Sequence, residues 1–207
     1  MKAYVYVDGL NLYYGAVKDT PYKWLKIAEL CRLLLPKDQV LQTKYYTAIV
    51  DARPDDPGAP TRQQFYLRAL RTIPNLSIHF GHFLTQKRWL PVVSPKKKGP
   101  KKVQVYKTEE KGSDVNLATH LVRDGFKQEY EVAILVTNDS DLLEPIRVVG
   151  HELGFPVGLL NPHPQPSRAL LPHVTFIKQI RRGQLARCQF PGTMTDKDGA
   201  FSKPSGW

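Results

Sequence analysis

Four aspartates occupy positions at which a protein could hold a metal ion. Asp8 and Asp139 come at the ends of apolar runs, Asp141 lies two residues further on, and Asp114 opens an amphipathic stretch. Carboxylate oxygens are the ligands that hard cations such as Mg²⁺ and Mn²⁺ prefer. An ion of this class can activate water and stabilise charge on a phosphodiester during its cleavage. The aspartates therefore predict a Mg²⁺ or Mn²⁺ site, if the fold brings them together.

Carboxylates that lie close together require a compensating proton or cation. Two unit charges about 4 Å apart repel by roughly 4 kcal/mol at an effective dielectric of 20, so such groups shift their pKa values or recruit a cation. Each aspartate also has an ordinary structural role open to it. Asp8-Gly9 is a common turn, and the other three suit helix caps or first turns. The joint occurrence of all four favours the metal site over these separate roles.

The elements that must position these residues are buried strands and the helices between them. Apolar runs at 3–7 and 132–136 predict two strands, with Asp8 and Asp139 at their C-terminal ends. In open α/β sheets, ligands bind at the edge formed by these ends. A helix that precedes a parallel strand begins at the same edge, so Asp114 is expected there too.

Strands and helices alternate through the rest of the chain. Periodicity predicts helices over 25–35, 61–71, 112–125 and 142–153, and strands over 40–50, 75–89, 103–107, 155–160 and 174–177. This alternation predicts an α/β protein, a three-layer α/β/α sandwich with a mostly parallel central sheet. We expect one domain over 1–180 and a flexible C-terminal tail over 181–207, where the sequence becomes polar and aperiodic.

A strong positive charge predicts a polyanionic partner. The net charge is +11 and the pI is about 9.6, which favours nucleic acid, although a basic surface kept for solubility would give the same balance. Residues 94–102 hold five lysines and no apolar side chain, so we expect an exposed basic loop. The candidate RNA contacts are Lys96, Lys97, Lys98, Lys101, Lys102, Lys111 and Arg147 for phosphates, and Tyr13, Tyr14 and Trp89 for bases.

Neither export nor membrane insertion is indicated by the sequence. The chain enters its first strand at Ala3 without a signal-peptide pattern, and no apolar run approaches the roughly 20 residues that span a bilayer. The two cysteines and six histidines lack the spacing of a zinc or catalytic site. We expect a soluble cytoplasmic protein, and the sequence leaves open whether it forms a homo-oligomer.

Three short blocks carry a family resemblance: VDGLN at 7–11, KGSDVNLA at 111–118 and VTNDSDLLEPI at 136–146. They are similar, in the same order, to blocks of the NYN domain, in the DUF88/LabA-like branch of the PIN-like nucleases. The resemblance extends from about residue 2 to residue 178. It implies a PIN-like, Rossmann-related α/β/α fold and metal-dependent ribonuclease activity.

The resemblance also implies roles for individual residues. Asp8, Asp114 and Asp139 fall on the acidic metal-site positions of the family, and Asp141 falls on the second acid of its Ser-Gly-Asp-Ser-Asp block. All four would hold Mg²⁺ or Mn²⁺. The catalytic residues that the resemblance implies are Asp8, Asp114, Asp139, Asp141, Asn11 and Thr137.

The third block departs from the family pattern in two places. Thr137-Asn138 stands where Ser-Gly is usual, and Leu142 stands where an aromatic residue is usual. Thr137 keeps a hydroxyl group, and neither departure removes a carboxylate. We therefore expect a competent site whose access is altered by the side chain of Asn138.

Two other functions suit an acidic site at strand ends. One is a non-catalytic PIN-like module that binds RNA or a protein partner, and Asn138 supports this alternative. The other is phosphotransfer of the haloacid dehalogenase type, which needs a second aspartate two residues after the nucleophile, whereas that position is Leu10. From the sequence we expect a metal-dependent endoribonuclease that hydrolyses RNA.

Overall fold

Strands and helices alternate along the chain. The structure is a computed structural model, and it describes residues 1–52, 54–94 and 99–207. The strands are β1 (Lys2–Asp8), β2 (Gln39–Ala48), β3 (Leu76–Pro91), β4 (Lys102–Lys111), β5 (Val132–Val136), β6 (Val157–Asn161), β7 (Phe176–Gln179), β8 (Thr193–Asp196) and β9 (Gly199–Ser202). The helices are α1 (Gly9–Leu12), α2 (Ile27–Leu34), α3 (Ala59–Arg71), α4 (Ser113–Phe126), α5 (Leu143–Arg147) and α6 (Arg182–Arg187). Shorter helical turns are Tyr13–Val17, Ser140–Leu142, Val148–Glu152 and Leu171–His173. Among the residues described, none of these helices is long and apolar enough to cross a membrane.

A seven-stranded sheet in the order β4-β3-β2-β1-β5-β6-β7 forms the middle layer. Its neighbouring strands are parallel except for β3 and β4, which are antiparallel. Helices α1, α2, α3 and α6 pack on one face, and α4 and α5 pack on the other. The predicted three-layer α/β/α fold with a mostly parallel sheet is therefore confirmed.

The two central strands carry the predicted metal-site residues to one edge. All of β5 is buried, and β1 is buried from Val5 to Asp8, as expected for strands that are covered on both faces. They pair in parallel, with Val7 opposite Val136. The residues that follow the two strands therefore emerge side by side.

The strands β3 and β4 form a hairpin that extends beyond the parallel part of the sheet. β3 pairs with β2 only as far as Gly81, and from His82 to Pro91 it pairs with β4. Most side chains of this extension are exposed. The strand predicted over 103–107 is the middle of β4, and its alternating pattern is weak because both faces are in contact with solvent.

Residues 181–207 are folded, which corrects the prediction of a flexible tail. They form α6 and the β8–β9 hairpin, and they bury Phe190 and Phe201 against the ring of Trp24. The Trp24 indole N–H also donates a hydrogen bond to the Pro191 carbonyl at 2.8 Å. The apolar side chains of this segment are too few and too unevenly spaced to show a period. Only their packing against Trp24 reveals that the segment is ordered.

A buried charged cluster joins α4 to the sheet. Asp124 of α4 is fully buried, and its carboxylate pairs with Lys44 and accepts hydrogen bonds from the Tyr6 hydroxyl at 2.7 Å and from Arg123 at 2.8 Å. Burial by itself would raise the pKa of Asp124, but these hydrogen bonds outweigh burial and lower it. A buried carboxylate is tolerated only while such partners are in place.

Candidate metal centre

Three of the predicted aspartates meet at the edge of the sheet. Asp8, Asp114 and Asp139 each place a carboxylate oxygen within 4.8 Å of the other two. Asp8 ends β1, Asp139 follows β5, and Asp114 lies in the first turn of α4. Within the described ranges, none of the three forms a salt bridge. Three oxygen donors without a cationic side chain fit a hard divalent cation.

The Thr137 hydroxyl links the carboxylate of Asp8 to the backbone of Asp139. It donates a hydrogen bond to Asp8 Oδ2 at 3.1 Å and accepts one from the Asp139 backbone N–H at 3.1 Å. The Asn11 backbone N–H donates to the other oxygen of Asp8, Oδ1, at 2.9 Å. Thr137 and Asp8 are both buried. The hydroxyl therefore holds the ends of β1 and β5 in a fixed relation to each other.

Asn11 and Asn138 connect the two strand ends to the loop that follows β6. The Asn138 backbone N–H donates to Asn11 Oδ1 at 2.9 Å. The Asn138 side-chain amide donates to the Gln165 carbonyl at 3.0 Å and accepts a hydrogen bond from the Ser167 backbone N–H at 2.6 Å. The asparagine that replaces the usual glycine of the family therefore secures this loop.

A further carboxylate, which the sequence analysis missed, lies near the end of β4, three residues before α4 begins. Glu110 Oε1 accepts a hydrogen bond from the Ser113 backbone N–H at 2.9 Å, and its charge contributes to a raised pKa of Asp114. Gly112 permits the tight connection because its φ of 93° lies in the left-handed region that favours glycine. The available signal was an acid three residues before Ser113, where a carboxylate can satisfy a free N–H of the first helical turn.

Burial and mutual repulsion favour the protonated forms of the clustered carboxyls when no cation balances them. Burial raises the pKa of Asp8 from 3.8 to about 7; hydrogen bonds from Asn11 and Thr137 oppose this shift, and the charges of Asp114 and Asp139 add to it. Burial, followed by the charge of Asp139, also raises the pKa of Asp114. A divalent cation would favour the ionised forms instead.

The raised pKa of Asp8 should make the metal-free protein less stable as the pH rises. A carboxyl group whose pKa is higher in the folded state binds its proton more tightly in the folded protein than in the unfolded chain. Relative to its value at high pH, the free energy of unfolding is therefore increased in full below pH 3.8, and this increase is lost as the pH rises through about 7. Each unit of pKa difference corresponds to about 1.4 kcal/mol. We therefore expect the free energy of unfolding of wild type, relative to Asp8→Asn, to fall by a few kcal/mol across this window. Denaturant titrations in EDTA at several pH values measure the difference.

Added Mn²⁺ provides the control for this pH effect. Because the ion binds the ionised carboxylate, it should restore the stability of wild type above about pH 7 and have a much smaller effect on Asp8→Asn. A stability difference between the two proteins that stays constant with pH in EDTA would contradict the raised pKa.

Asp141 lies beside the three clustered aspartates. Its side chain is exposed, its backbone N–H donates to Asp139 Oδ1 at 3.0 Å, and its charge contributes to the raised pKa of Asp114. Asp141 does not belong to the group of three whose oxygens lie within 4.8 Å of one another. Asp141 therefore influences the cluster through its negative charge and is not one of the three aspartates that converge.

The basic residues predicted to contact RNA lie in different environments. Lys111 and Arg147 are exposed, and each pairs with a glutamate, at 3.3 Å and 2.9 Å. Lys101 and Lys102 are exposed at the start of β4. The other lysines of the predicted basic loop lie outside the described residues; they are Lys96, Lys97 and Lys98.

A cavity of about 300 Å³, lined by aromatic, aliphatic and charged side chains, lies next to the residues that follow β1. Tyr13 and Tyr14 line it, with their rings edge to face at 5.2 Å. Tyr45 also lines it, and its pKa is raised first by burial and then by the charge of Asp8. The other aromatic residues of the lining are Tyr66, Phe83 and Trp207. A concave site of this size, with several rings and a few charged groups in its lining, suits a small aromatic ligand.

Similarity to known proteins extends over most of the chain. A family model described as NYN domain matches residues 2–178. The curated protein 6-hydroxy-3-succinoylpyridine 3-monooxygenase HspA, from Pseudomonas putida (strain DSM 28022 / S16), is 28% identical over 238 residues, which cover 100% of this chain and 75% of that protein.

One solved structure shares the fold. It is a crystal structure of a protein of unknown function from Vibrio parahaemolyticus RIMD 2210633, with a TM-score of 0.56 and 16% sequence identity. The match covers 87% of this chain and 93% of the other. At this level of identity the likeness shows the α/β fold alone.

Proposed function

The chain belongs to the NYN domain family, and from this membership together with the aspartate cluster we propose that it is a Mg²⁺- or Mn²⁺-dependent endoribonuclease. The convergence of Asp8, Asp114 and Asp139, with oxygens within 4.8 Å of one another, carries the proposal. The family supports hydrolysis of phosphodiester bonds, and the cluster offers the acidic group that this chemistry needs. The net charge of +11 supports RNA as the polyanionic substrate.

In this proposal the three clustered aspartates hold the metal ion. When bound, the ion would supply polarisation of a water molecule and stabilisation of the phosphodiester charge. Thr137 keeps Asp8 and Asp139 in place through its two hydrogen bonds. Asp141 orients the attacking water or contributes to a second ion. Asn11 acts as a positioning residue, since it bonds to the ends of both strands.

Basic and aromatic side chains around the cluster are proposed to hold the RNA. Phosphates would lie against exposed lysines and arginine, and bases would stack on tyrosines at the cavity. These residues are Lys101, Lys102, Lys111, Arg147, Tyr13 and Tyr14, together with Lys96, Lys97 and Lys98 from the sequence prediction.

Cleavage of a single-stranded oligoribonucleotide in the presence and absence of a divalent cation tests the proposal. We expect wild type to cleave in Mn²⁺ or Mg²⁺, to stop in EDTA, and to recover when the ion is added back. Products that end at internal positions, without stepwise shortening from either terminus, would identify an endonuclease. Absence of cleavage from a sample that binds Mn²⁺ tightly would contradict the proposal.

A module that binds RNA or a protein without cutting is the alternative. It predicts RNA affinity without cleavage and without a Mn²⁺ site. In the sequence this alternative drew support from Asn138, where the family usually has glycine. The structure supplies another reason for that residue, because its amide bonds to the loop at Gln165 and Ser167.

The curated relative and the aromatic cavity favour a second candidate function. The name of that relative describes a monooxygenase of 6-hydroxy-3-succinoylpyridine, and the match spans all of this chain. The cavity encloses about 300 Å³ and has six aromatic rings among its aliphatic and charged lining residues, which suits a substituted pyridine. We infer oxygenation of a small nitrogen-containing aromatic molecule as the second candidate.

One assay separates the two candidates. The protein is incubated with 6-hydroxy-3-succinoylpyridine, dioxygen and a reduced nicotinamide as electron donor, and the pyridine is followed by chromatography and mass spectrometry. Loss of the pyridine without RNA cleavage in parallel samples would replace the endoribonuclease proposal. RNA cleavage without loss of the pyridine would exclude the oxygenase.

A further inference from the structure

The extended part of the β3–β4 hairpin presents two chemically different faces. From His82 to Pro91 the strands pair without a register shift, and directly opposed residues of an antiparallel pair project to the same face. The hydrogen bond between the hydroxyls of Thr85 and Thr108, at 2.9 Å, agrees with this assignment. The aromatic face carries the pairs Phe83–Glu110, Thr85–Thr108, Lys87–Tyr106, Trp89–Gln104 and Pro91–Lys102. The aliphatic face carries His82–Lys111, Leu84–Glu109, Gln86–Lys107, Arg88–Val105 and Leu90–Val103.

The aromatic face combines exposed rings with free lysines. Trp89 is 64% exposed and Tyr106 is 73% exposed, although both are large apolar rings. The Lys87 ammonium lies 5.7 Å from the centre of the Tyr106 ring. Over the described ranges, neither Lys87 nor Lys102 forms a salt bridge. Exposed rings interspersed with free cations are typical of surfaces that bind single-stranded nucleic acid.

On the aliphatic face, two of the three cations share one carboxylate. Lys107 and Lys111 both form salt bridges with Glu109, and Arg88 donates a hydrogen bond to Gln86 at 2.6 Å. The residues on this face include no phenylalanine, tyrosine or tryptophan. This face therefore offers no large ring for stacking, although it belongs to the same two strands and carries three basic residues against two.

The aromatic face leads into the aspartate cluster. At its inner end, Glu110 accepts the hydrogen bond from Ser113, the residue before Asp114, at 2.9 Å. Gly81, on the same side of β3, lies so close to this junction that an added Cβ would be 2.7 Å from the Ser113 nitrogen. A strand of RNA that follows the aromatic face inwards would therefore arrive at Asp114.

We propose that the aromatic face of the hairpin binds single-stranded RNA and guides it to the aspartate cluster. Bases stack on Trp89 and Tyr106, and Lys87 and Lys102 contact the phosphates. Single strands are the fitting partner because stacking on protein rings needs unpaired bases, whereas duplexes are bound mainly through shape and phosphates. The inference rests on the proposed function in taking RNA as the substrate, and it adds where the RNA binds and which form of RNA binds there.

Paired double variants on the two faces test the stacking contribution. Binding of a fluorescent oligouridylate of about 15 nucleotides is measured by anisotropy in EDTA, so that cleavage does not interfere. For Trp89→Ala with Tyr106→Ala we expect affinity to fall roughly 10- to 100-fold, since each stacked base contributes substantially. The matched control on the aliphatic face, Leu84→Ala with Leu90→Ala, should change affinity by no more than about 2-fold.

A second pair of variants tests the charge contribution. The first double variant, Lys87→Ala with Lys102→Ala, removes two positive charges from the aromatic face. The second, Arg88→Ala with Lys107→Ala, removes two positive charges from the same strands but from the aliphatic face. The slope of log affinity against log salt should decrease by about 1.4 for the first pair, because each phosphate contact on a single strand contributes about 0.7. The slope should stay unchanged for the second pair.

The outcomes separate this inference from the proposed function. Equal losses on both faces would indicate diffuse attraction and would overturn the guiding role, even if the protein cleaves RNA. Tighter binding of a matched duplex would overturn the assignment to single strands. Face-specific binding by a protein that does not cleave in Mn²⁺ would reject the endoribonuclease and leave the binding face standing. Thermal unfolding of every variant shows that the exposed substitutions leave the fold intact.

Discussion

Replacing Asp139 with asparagine is expected to reduce Mn²⁺-dependent RNA cleavage by at least about 100-fold and to weaken Mn²⁺ binding to a similar degree. The substitution removes one of three anionic oxygens that lie within 4.8 Å of one another. Loss of a residue that merely supports a metal ligand already costs roughly 10- to 100-fold in affinity or activity, so loss of a ligand should cost more.

Asp139 is the most informative of the three positions because the change should leave the fold intact. Asparagine keeps an oxygen that can accept the hydrogen bond now made by the Asp141 backbone N–H at 3.0 Å. The side chain of Asp139 is half-buried, whereas Asp8 is buried among hydrogen bonds that its replacement would disturb. Cleavage rates and calorimetric titration with Mn²⁺ measure the two effects separately.

Glu152→Gln is the matched control for Asp139→Asn. It makes the same chemical change at an exposed carboxylate that forms no salt bridge within the described ranges. We expect wild-type cleavage and wild-type Mn²⁺ affinity from this variant. Undiminished metal-dependent cleavage by Asp139→Asn would assign the activity to another site or to a contaminating nuclease.

Replacing Asp124 with alanine is expected to destabilise the protein by about 3–5 kcal/mol, the largest stability effect that we predict. The side chain is fully buried, and its loss leaves Lys44, which is also buried, without its counter-charge. The hydroxyl of Tyr6 loses its hydrogen-bond acceptor in the same step. Urea denaturation monitored by circular dichroism measures the change in the free energy of unfolding.

A compensated double variant distinguishes loss of pairing from loss of packing. Lys44→Met with Asp124→Leu removes both charges, and replacement of buried pairs by apolar residues is often neutral or stabilising. We expect the double variant to recover much of the stability that Asp124→Ala loses. Equal destabilisation of the two proteins would show that the charges matter less than the shape of the site.

The Asp124 cluster also connects the stability of the fold to the metal centre. Helix α4 carries Asp114 in its first turn and Asp124 near its end. The salt bridge with Lys44 anchors that helix to the sheet at β2. A variant that loosens α4 should therefore bind Mn²⁺ more weakly even where it remains folded.

Much of the candidate metal site could be predicted because its residues are tied to strand ends. Asp8 and Asp139 follow apolar runs that proved to be the central strands β1 and β5, and parallel pairing brings their ends together. Asp114 could be placed because a helix that precedes a parallel strand begins at the same edge. The resemblance in three short blocks pointed to the same residues, and the family is now shown over residues 2–178.

Other features of the site could not be predicted, because their residues form no distinctive pattern in the sequence. Glu110 lies beside the cluster, where it accepts a hydrogen bond from the Ser113 backbone N–H, and an acid before a helix is too common to indicate a site. The amide of Asn138 bonds to a loop more than twenty residues later in the chain, at Gln165 and Ser167. Contacts of this kind depend on how one loop packs against another, which the pattern of either loop alone does not encode.

Local patterns in the sequence were enough to predict the seven strands β1 to β7, the edge of the sheet that carries the acidic residues, and the basic character of the protein. These properties follow from local periodicity and composition, since each segment shows in its own residues which side is buried. The three-dimensional arrangement was needed to show that Asp8, Asp114 and Asp139 form the cluster while Asp141 lies beside it. Packing against Trp24 likewise decided that residues 181–207 are ordered. In both cases the deciding contacts join segments far apart in the chain, and their energies depend on distances that a one-dimensional pattern does not contain.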